Sequence, residues 1–198
     1  MLQHLRSHRG LAVAVVSYYV GFLALGVATD NGQVLLYAVF MAILIGVVAL
    51  WDSRRHLSSA VLTGLALWGA LHMAGGLIPL PDEQVLYNLW LLPFLRFDHL
   101  VHAIGFGFAG LAFWEAARPA LGPALMSGAA IIFVGGVGLG AVNEMIEFLI
   151  TRVVSDTNVG GFDNTGWDLV ANAVGAALAA VWVRRQWARG QTPRIVEG

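Results

Sequence analysis

Six stretches of this chain stay apolar for long enough to cross a bilayer, and that property removes most soluble architectures at once. They run over about 10–28, 33–51, 57–80, 98–117, 123–151 and 167–187. A spanning helix needs about 20 residues at a rise of about 1.5 Å to cover a hydrocarbon core about 30 Å thick. Backbone in lipid must satisfy its own hydrogen bonds, so stretches of this length are read as helices. The expected fold is therefore all-α: a polytopic membrane helix bundle with six transmembrane helices, in a single integral-membrane domain over 1–198. Composition agrees, because only 12% of residues are charged, against about 25% in soluble domains. The fifth stretch is longer than a crossing requires and is expected to tilt or project from the bilayer.

Orientation follows from arginine, since the eleven cations include no lysine. Alternating the six crossings puts Arg6, Arg9, Arg54, Arg55, Arg118, Arg184, Arg185, Arg189 and Arg194 on one side, and only Arg96 and Arg152 on the other. The positive-inside rule then makes both termini cytoplasmic. The first apolar run follows Arg6 and Arg9 and is longer than the roughly 7–15 residues of a signal-peptide core, so an uncleaved first span is expected. A net charge of -1 gives no electrostatic case for nucleic acid. The absence of cysteine excludes disulfides, thiolate nucleophiles, Cys-ligated zinc and iron–sulfur clusters.

Between the third and fourth stretches, residues 82–97 are too polar at the start and too interrupted by Pro93 to cross. Their apolar residues predict a short helix lying at the outer interface. Ser155–Gly166, rich in Gly, Asn and Asp, reads as an irregular outer cap. Gly105–Gly110 matches the spacing G-x-G-x-x-G but falls inside a spanning stretch with no strand before it. Like Gly136, Gly138 and Gly140, it reads as a helix-packing surface rather than a phosphate loop. No internal repeat is evident, which disfavours a transporter of the inverted-repeat type.

Against this apolar background the ionisable residues stand out. His72, Asp98, His102, Glu144, Glu147, Asp163 and Asp168 fall within the spans or at their outer ends. An ionisable group at the centre of a spanning helix costs about 2.5–3.5 kcal/mol on insertion scales, so a collection of them on one side points to function. Asp98 and His102 are four apart, Glu144 and Glu147 three apart, and Asp168 and Asn172 four apart, so each pair shares a helix face. His72, eight residues before Leu80, lies on the order of 12 Å below the outer surface. Imidazoles with carboxylates suit Zn²⁺, Mn²⁺ or Fe²⁺. The candidate metal ligands are His72, Asp98, His102, Glu144 and Asp168, and Glu147 is the candidate general base. The same groups could relay protons or act as polar links between helices. His72 with His99 or His102 could also supply axial ligands to haem, although carboxylates line such a pocket poorly.

At these residues the chain resembles the VanZ-like membrane proteins and the YjdF-type bacterial inner-membrane proteins, over about residues 70–180. The resemblance rests on Asp98 to His102 as an Asp-x-x-x-His helix opening, and on Glu144 to Phe148 as a Glu-x-x-Glu-aromatic element. Asp168, Asn172 and Gly175 are similar to the family's Asp-x-x-x-Asn-x-x-Gly, and His72–Gly76 resembles a His-Met-x-Gly-Gly element. The chain departs in carrying His99 where VanZ-like members usually have Lys or Arg. The resemblance implies a multi-pass protein of the inner (plasma) membrane; the family's prototype is associated with resistance to a lipoglycopeptide antibiotic.

Two functions are expected from this pattern. One is an integral membrane enzyme, metal-dependent or acid/base, acting on a lipid or lipid-linked substrate from the outer leaflet. The other is a non-catalytic accessory subunit of a larger membrane complex. Membrane lipids are the expected partners in either case, with another membrane protein or a second copy in the second.

Overall fold

Each long apolar stretch forms a helix. The computed structural model describes residues 8–121, 128–154 and 157–189. Among them are α1 (Arg9–Ala28), α2 (Val34–Arg55), α3 (Ser59–Leu77), α4 (Phe97–Leu121), α5 (Gly128–Thr151) and α6 (Phe162–Ala188), all long and apolar enough to cross a membrane. Arg54 and Arg55 occupy the last turn of α2, where the helix dipole favours cations, and His56 closes the helix in the left-handed conformation at φ 52°. Arg6, Arg194, Asp156 and the expected start of the fifth span at 123–127 lie outside the described residues.

Two sequence expectations are corrected. Residues 82–96 hold no α-helix, and Phe97 already opens α4. A turn at Pro81–Gln84, with Asp82 at φ 60° and Glu83 at φ 57°, folds Val85 back to pair with Pro79. One turn of 3-10 helix follows at Leu86–Asn88, then the antiparallel pair β1 (Trp90–Leu92) and β2 (Leu95–Arg96). Leu89–Leu95 is continuously apolar, so its periodicity does not separate helix from strand. Pro93, which lacks an N–H and presets φ, sits between the paired Leu92 and Leu95 and makes the reversal. The second correction is at α6, which begins at Phe162 rather than 167. Asp163 therefore stands in the first helical turn instead of a loop, where its charge opposes the positive end of the helix dipole.

The chain divides into two compact units. The first comprises the residues up to His56 with Ala66–Val101. Its core is Tyr37, Met41, Met73, Leu77, Val85, Tyr87 and Val101. His72 lies here, its ring 5.4 Å from those of Tyr37 and Phe40 and 6.1 Å from that of Trp68. The Tyr87 hydroxyl meets His72 Nδ1 and also reaches the His72 carbonyl oxygen, at 3.1 Å. This contact ties the segment after α3 back onto that helix. Tyr87→Phe is expected to cost about 1 kcal/mol, the net worth of such a bond, read as a lower midpoint of denaturant unfolding in detergent.

The second unit comprises Leu57–Leu65 and the residues from His102 onward. Its helices approach through glycine. A Cβ at Gly175 of α6 would collide with the Ala103 carbonyl of α4, and one at Gly110 with the Ile132 carbonyl of α5. On α5, Gly136 and Gly140 are four apart and both face close neighbours, whereas Gly138 meets nothing within 4 Å. The packing surface read from the sequence is thus carried by the four-residue spacing, as small residues allow backbones to approach in membranes. At the far end of this unit the Ser58 N–H donates to Glu115 Oε2 at 2.9 Å, satisfying backbone at the start of α3.

Candidate functional site

His102 is the centre of a polar cluster inside the second unit. It lies in the second turn of α4 and is 7% exposed. Its Nδ1 is 3.1 Å from Asn172 Oδ1 and 3.4 Å from Glu144 Oε1. On the opposite edge of the ring, Nε2 is 4.0 Å from Asp168 Oδ1. Three helices thus converge on one imidazole. Asp168 and Asn172, one turn apart on α6, are fully buried, and Glu144 of α5 is 5% exposed. They can converge because the backbones around them lie close: Gly140 lets α5 pack directly against the Asn172 side chain, and Gly175 is three residues beyond Asn172.

Further polar groups orient this first set. Asn164 Nδ2 donates to Asp168 Oδ2, which leaves Oδ1 on the side facing His102. Asn143 Nδ2 donates to Glu147 Oε1 at 2.7 Å. Ligand atoms of His102, Glu144 and Glu147 lie within 4.8 Å of one another. Glu147 is half-buried, and its neighbours Ile146, Phe148 and Leu149 are exposed, so the cluster has one edge at the outer surface of α5. Asn172 Nδ2 is buried with no hydrogen-bond partner among the described residues. Such an orphan costs about 1–3 kcal/mol and calls for an explanation.

The residues singled out from the sequence are placed as follows. His102, Glu144, Glu147 and Asp168 come together. Asp98 stands in the first turn of α4, four residues before His102 and on the same helix face. His99 is buried in the first unit, where its Nδ1 accepts the Arg96 N–H at 3.3 Å and so caps the start of α4. His72 also belongs to the first unit, with Tyr87 as its partner. Asn164 was not singled out from the sequence. Its four-residue spacing to Asp168 was the available signal, hidden by the expectation that the loop continued to Gly166.

Chemically, the cluster offers one imidazole edge to two oxygen acceptors and the other edge to a carboxylate. A ring held this way can donate from Nδ1 and use Nε2 toward a cation, or can pass a proton between Glu144 and Asp168. The donor set is nitrogen and hard oxygen, suited to zinc, manganese or iron(II). Two ligands each about 2.0–2.2 Å from a metal ion are separated by at most about 4.4 Å, so the 4.0 Å between Nε2 and Asp168 Oδ1 admits an ion at a wide ligand–metal–ligand angle.

Residues 10–189 match one family model, described as "Predicted membrane protein (DUF2238)". Neither a curated protein nor a solved structure matches the chain.

Proposed function

The chain belongs to the DUF2238 family of membrane proteins, and on that premise we propose that His102 and Asp168 bind a divalent metal ion serving a lipid or lipid-linked substrate. The observation that carries this reading is the two-sided support of His102. Asn172 Oδ1 and Glu144 Oε1 lie at Nδ1, and both are acceptor atoms, so in this reading the ring proton sits at Nδ1. Nε2 is then the lone-pair edge, and it faces Asp168 Oδ1. A histidine that gives its other N–H to a carboxylate or carbonyl is the usual arrangement behind a metal ligand.

In this reading His102 Nε2 and Asp168 Oδ1 are ligands. Glu144 and Asn172 hold the imidazole, and Asn164 holds the carboxylate. A bound ion would polarise a carbonyl or phosphoryl oxygen or activate a water. Glu147, half-buried at the edge of the cluster, is the group a substrate entering from the lipid would meet first, and it acts as general base. By the arginine distribution this end of the helices faces the outer side, where the lipid of the outer leaflet is the substrate source within reach.

Elemental analysis of protein purified in mild detergent without chelator tests the reading. The expected result is near-stoichiometric zinc, manganese or iron in the wild type and in Glu147→Gln. A well-folded wild type without metal would overturn it, and would leave the cluster as polar links between helices in an accessory subunit.

A further inference from the structure

The segment leading into α4 carries a different kind of site. Leu89-Trp90-Leu91-Leu92-Pro93-Phe94-Leu95 is seven consecutive apolar residues, closed by Arg96. β1 is exposed at every position, and Phe94 at the reversal is 75% exposed. Successive residues of a strand point to opposite faces, so a strand lying on a protein or facing water on one side alternates apolar with polar. This strand does not alternate. Both of its faces are apolar and both are uncovered.

The hairpin is nonetheless firmly held at its base. The Phe97 N–H donates to the Leu89 carbonyl at 2.8 Å, the Leu86 N–H to the Ile78 carbonyl at 3.0 Å, and Val85 and Tyr87 are buried in the core of the first unit. The Arg96 guanidinium sits 4.7 Å from the Trp90 ring centroid, also at the base. Tryptophan and arginine are residues of the membrane–water boundary, the one for its amphipathic ring and the other for its reach. The hairpin also joins two helices that cross the membrane, α3 and α4, so it emerges beside the bilayer.

We propose that the Trp90–Arg96 hairpin is a lipid-binding device that inserts its tip, Leu91 to Phe94, into the adjoining leaflet. Lipid is the one medium that covers both faces of a narrow apolar ribbon at once. Insertion stops at the headgroup–acyl boundary, because a two-stranded ribbon has two open edges whose N–H and C=O groups cannot be left unsatisfied in hydrocarbon. Trp90 and Arg96 mark the headgroup level, and the tip reaches about 5–10 Å further, the depth of an interfacial element. Since β2 runs directly into α4, the inserted tip fixes the depth of the helix that carries His102. This inference needs only that the chain is membrane-embedded and does not depend on the metal site.

The chain has no cysteine, so a single introduced thiol can be labelled without background. Phe94→Cys and Leu91→Cys, each spin-labelled and reconstituted in phosphatidylethanolamine–phosphatidylglycerol vesicles, are compared with Glu83→Cys in the exposed turn and Ile43→Cys on the exposed face of α2. Collision with oxygen and with a water-soluble nickel chelate is read for each. The expected result is a several-fold lower nickel collision rate at 91 and 94 than at 83, with oxygen access between those of 83 and 43. Nickel access equal to that at 83 would place the tip in water and overturn the proposal. Exclusion of both reagents would place it against protein, and a depth equal to that at 43 would place it in the hydrocarbon core; either also overturns it.

Discussion

Protein carrying His102→Ala is expected to purify with divalent metal at background, whereas Asn172→Ala and Glu144→Gln should retain the metal but bind it about 10–100-fold more weakly. The split follows from the two edges of the imidazole. Alanine at 102 removes the nitrogen facing Asp168 Oδ1 and leaves no replacement. Changes at 172 or 144 act on Nδ1, loosening the orientation of a ligand that is still present. Chelator titration followed by elemental analysis reads both effects, and circular dichroism checks that the helices persist. Full metal occupancy in folded His102→Ala would sink the assignment. Loss in Glu144→Gln as complete as in His102→Ala would instead make Glu144 a ligand and move the ion to the Nδ1 side, where Glu147 is also within reach.

A single methyl at Gly175 is expected to destabilise the protein by about 3 kcal/mol, the upper end of the cost of overpacking a well-filled interior. The added Cβ would meet the backbone carbonyl of Ala103, which has no rotamer to move aside, so the helices themselves must separate. Ala103 follows His102, and Gly175 is one turn from Asn172. The same substitution is therefore expected to raise the metal dissociation constant as well as to lower the midpoint of thermal unfolding in detergent. Gly138→Ala is the control. Nothing lies within 4 Å of its added Cβ, so it should gain up to about 1 kcal/mol from helix propensity. Equal stability of the two variants would show that the α4–α6 approach through Gly175 is not tight.

How far each residue could be read from the sequence depended on the range of the interaction that decides its role. The pairing of Glu144 with Glu147 and of Asp168 with Asn172 was legible, because residues three or four apart on a helix must share a face. The packing surface on α5 was legible in part: Gly136, Gly138 and Gly140 were read together, and only Gly136 and Gly140 meet close neighbours. The role of Asn164 was not, since it depends on where α6 begins. That start was masked by the Gly-rich sequence before it, and it lies five residues earlier than expected. The hairpin at Trp90–Arg96 escaped as well, because a run with no polar residue carries no period to read.

That the chain forms six apolar helices long enough to cross a membrane was determined by the sequence alone, because the cost of exposing backbone to lipid leaves a segment of about 20 apolar residues one conformation to adopt. So was the identity of the polar residues those helices carry. What tertiary structure alone decided was the partner of each. His72 meets the Tyr87 hydroxyl in the first unit, while His102 lies among Glu144, Asp168 and Asn172 in the second. Both are histidines set in apolar helices, and nothing local distinguishes them. The difference comes from glycine contacts that bring particular backbones of α4, α5 and α6 together, and such contacts join residues up to about seventy positions apart, a separation over which helical periodicity carries no information.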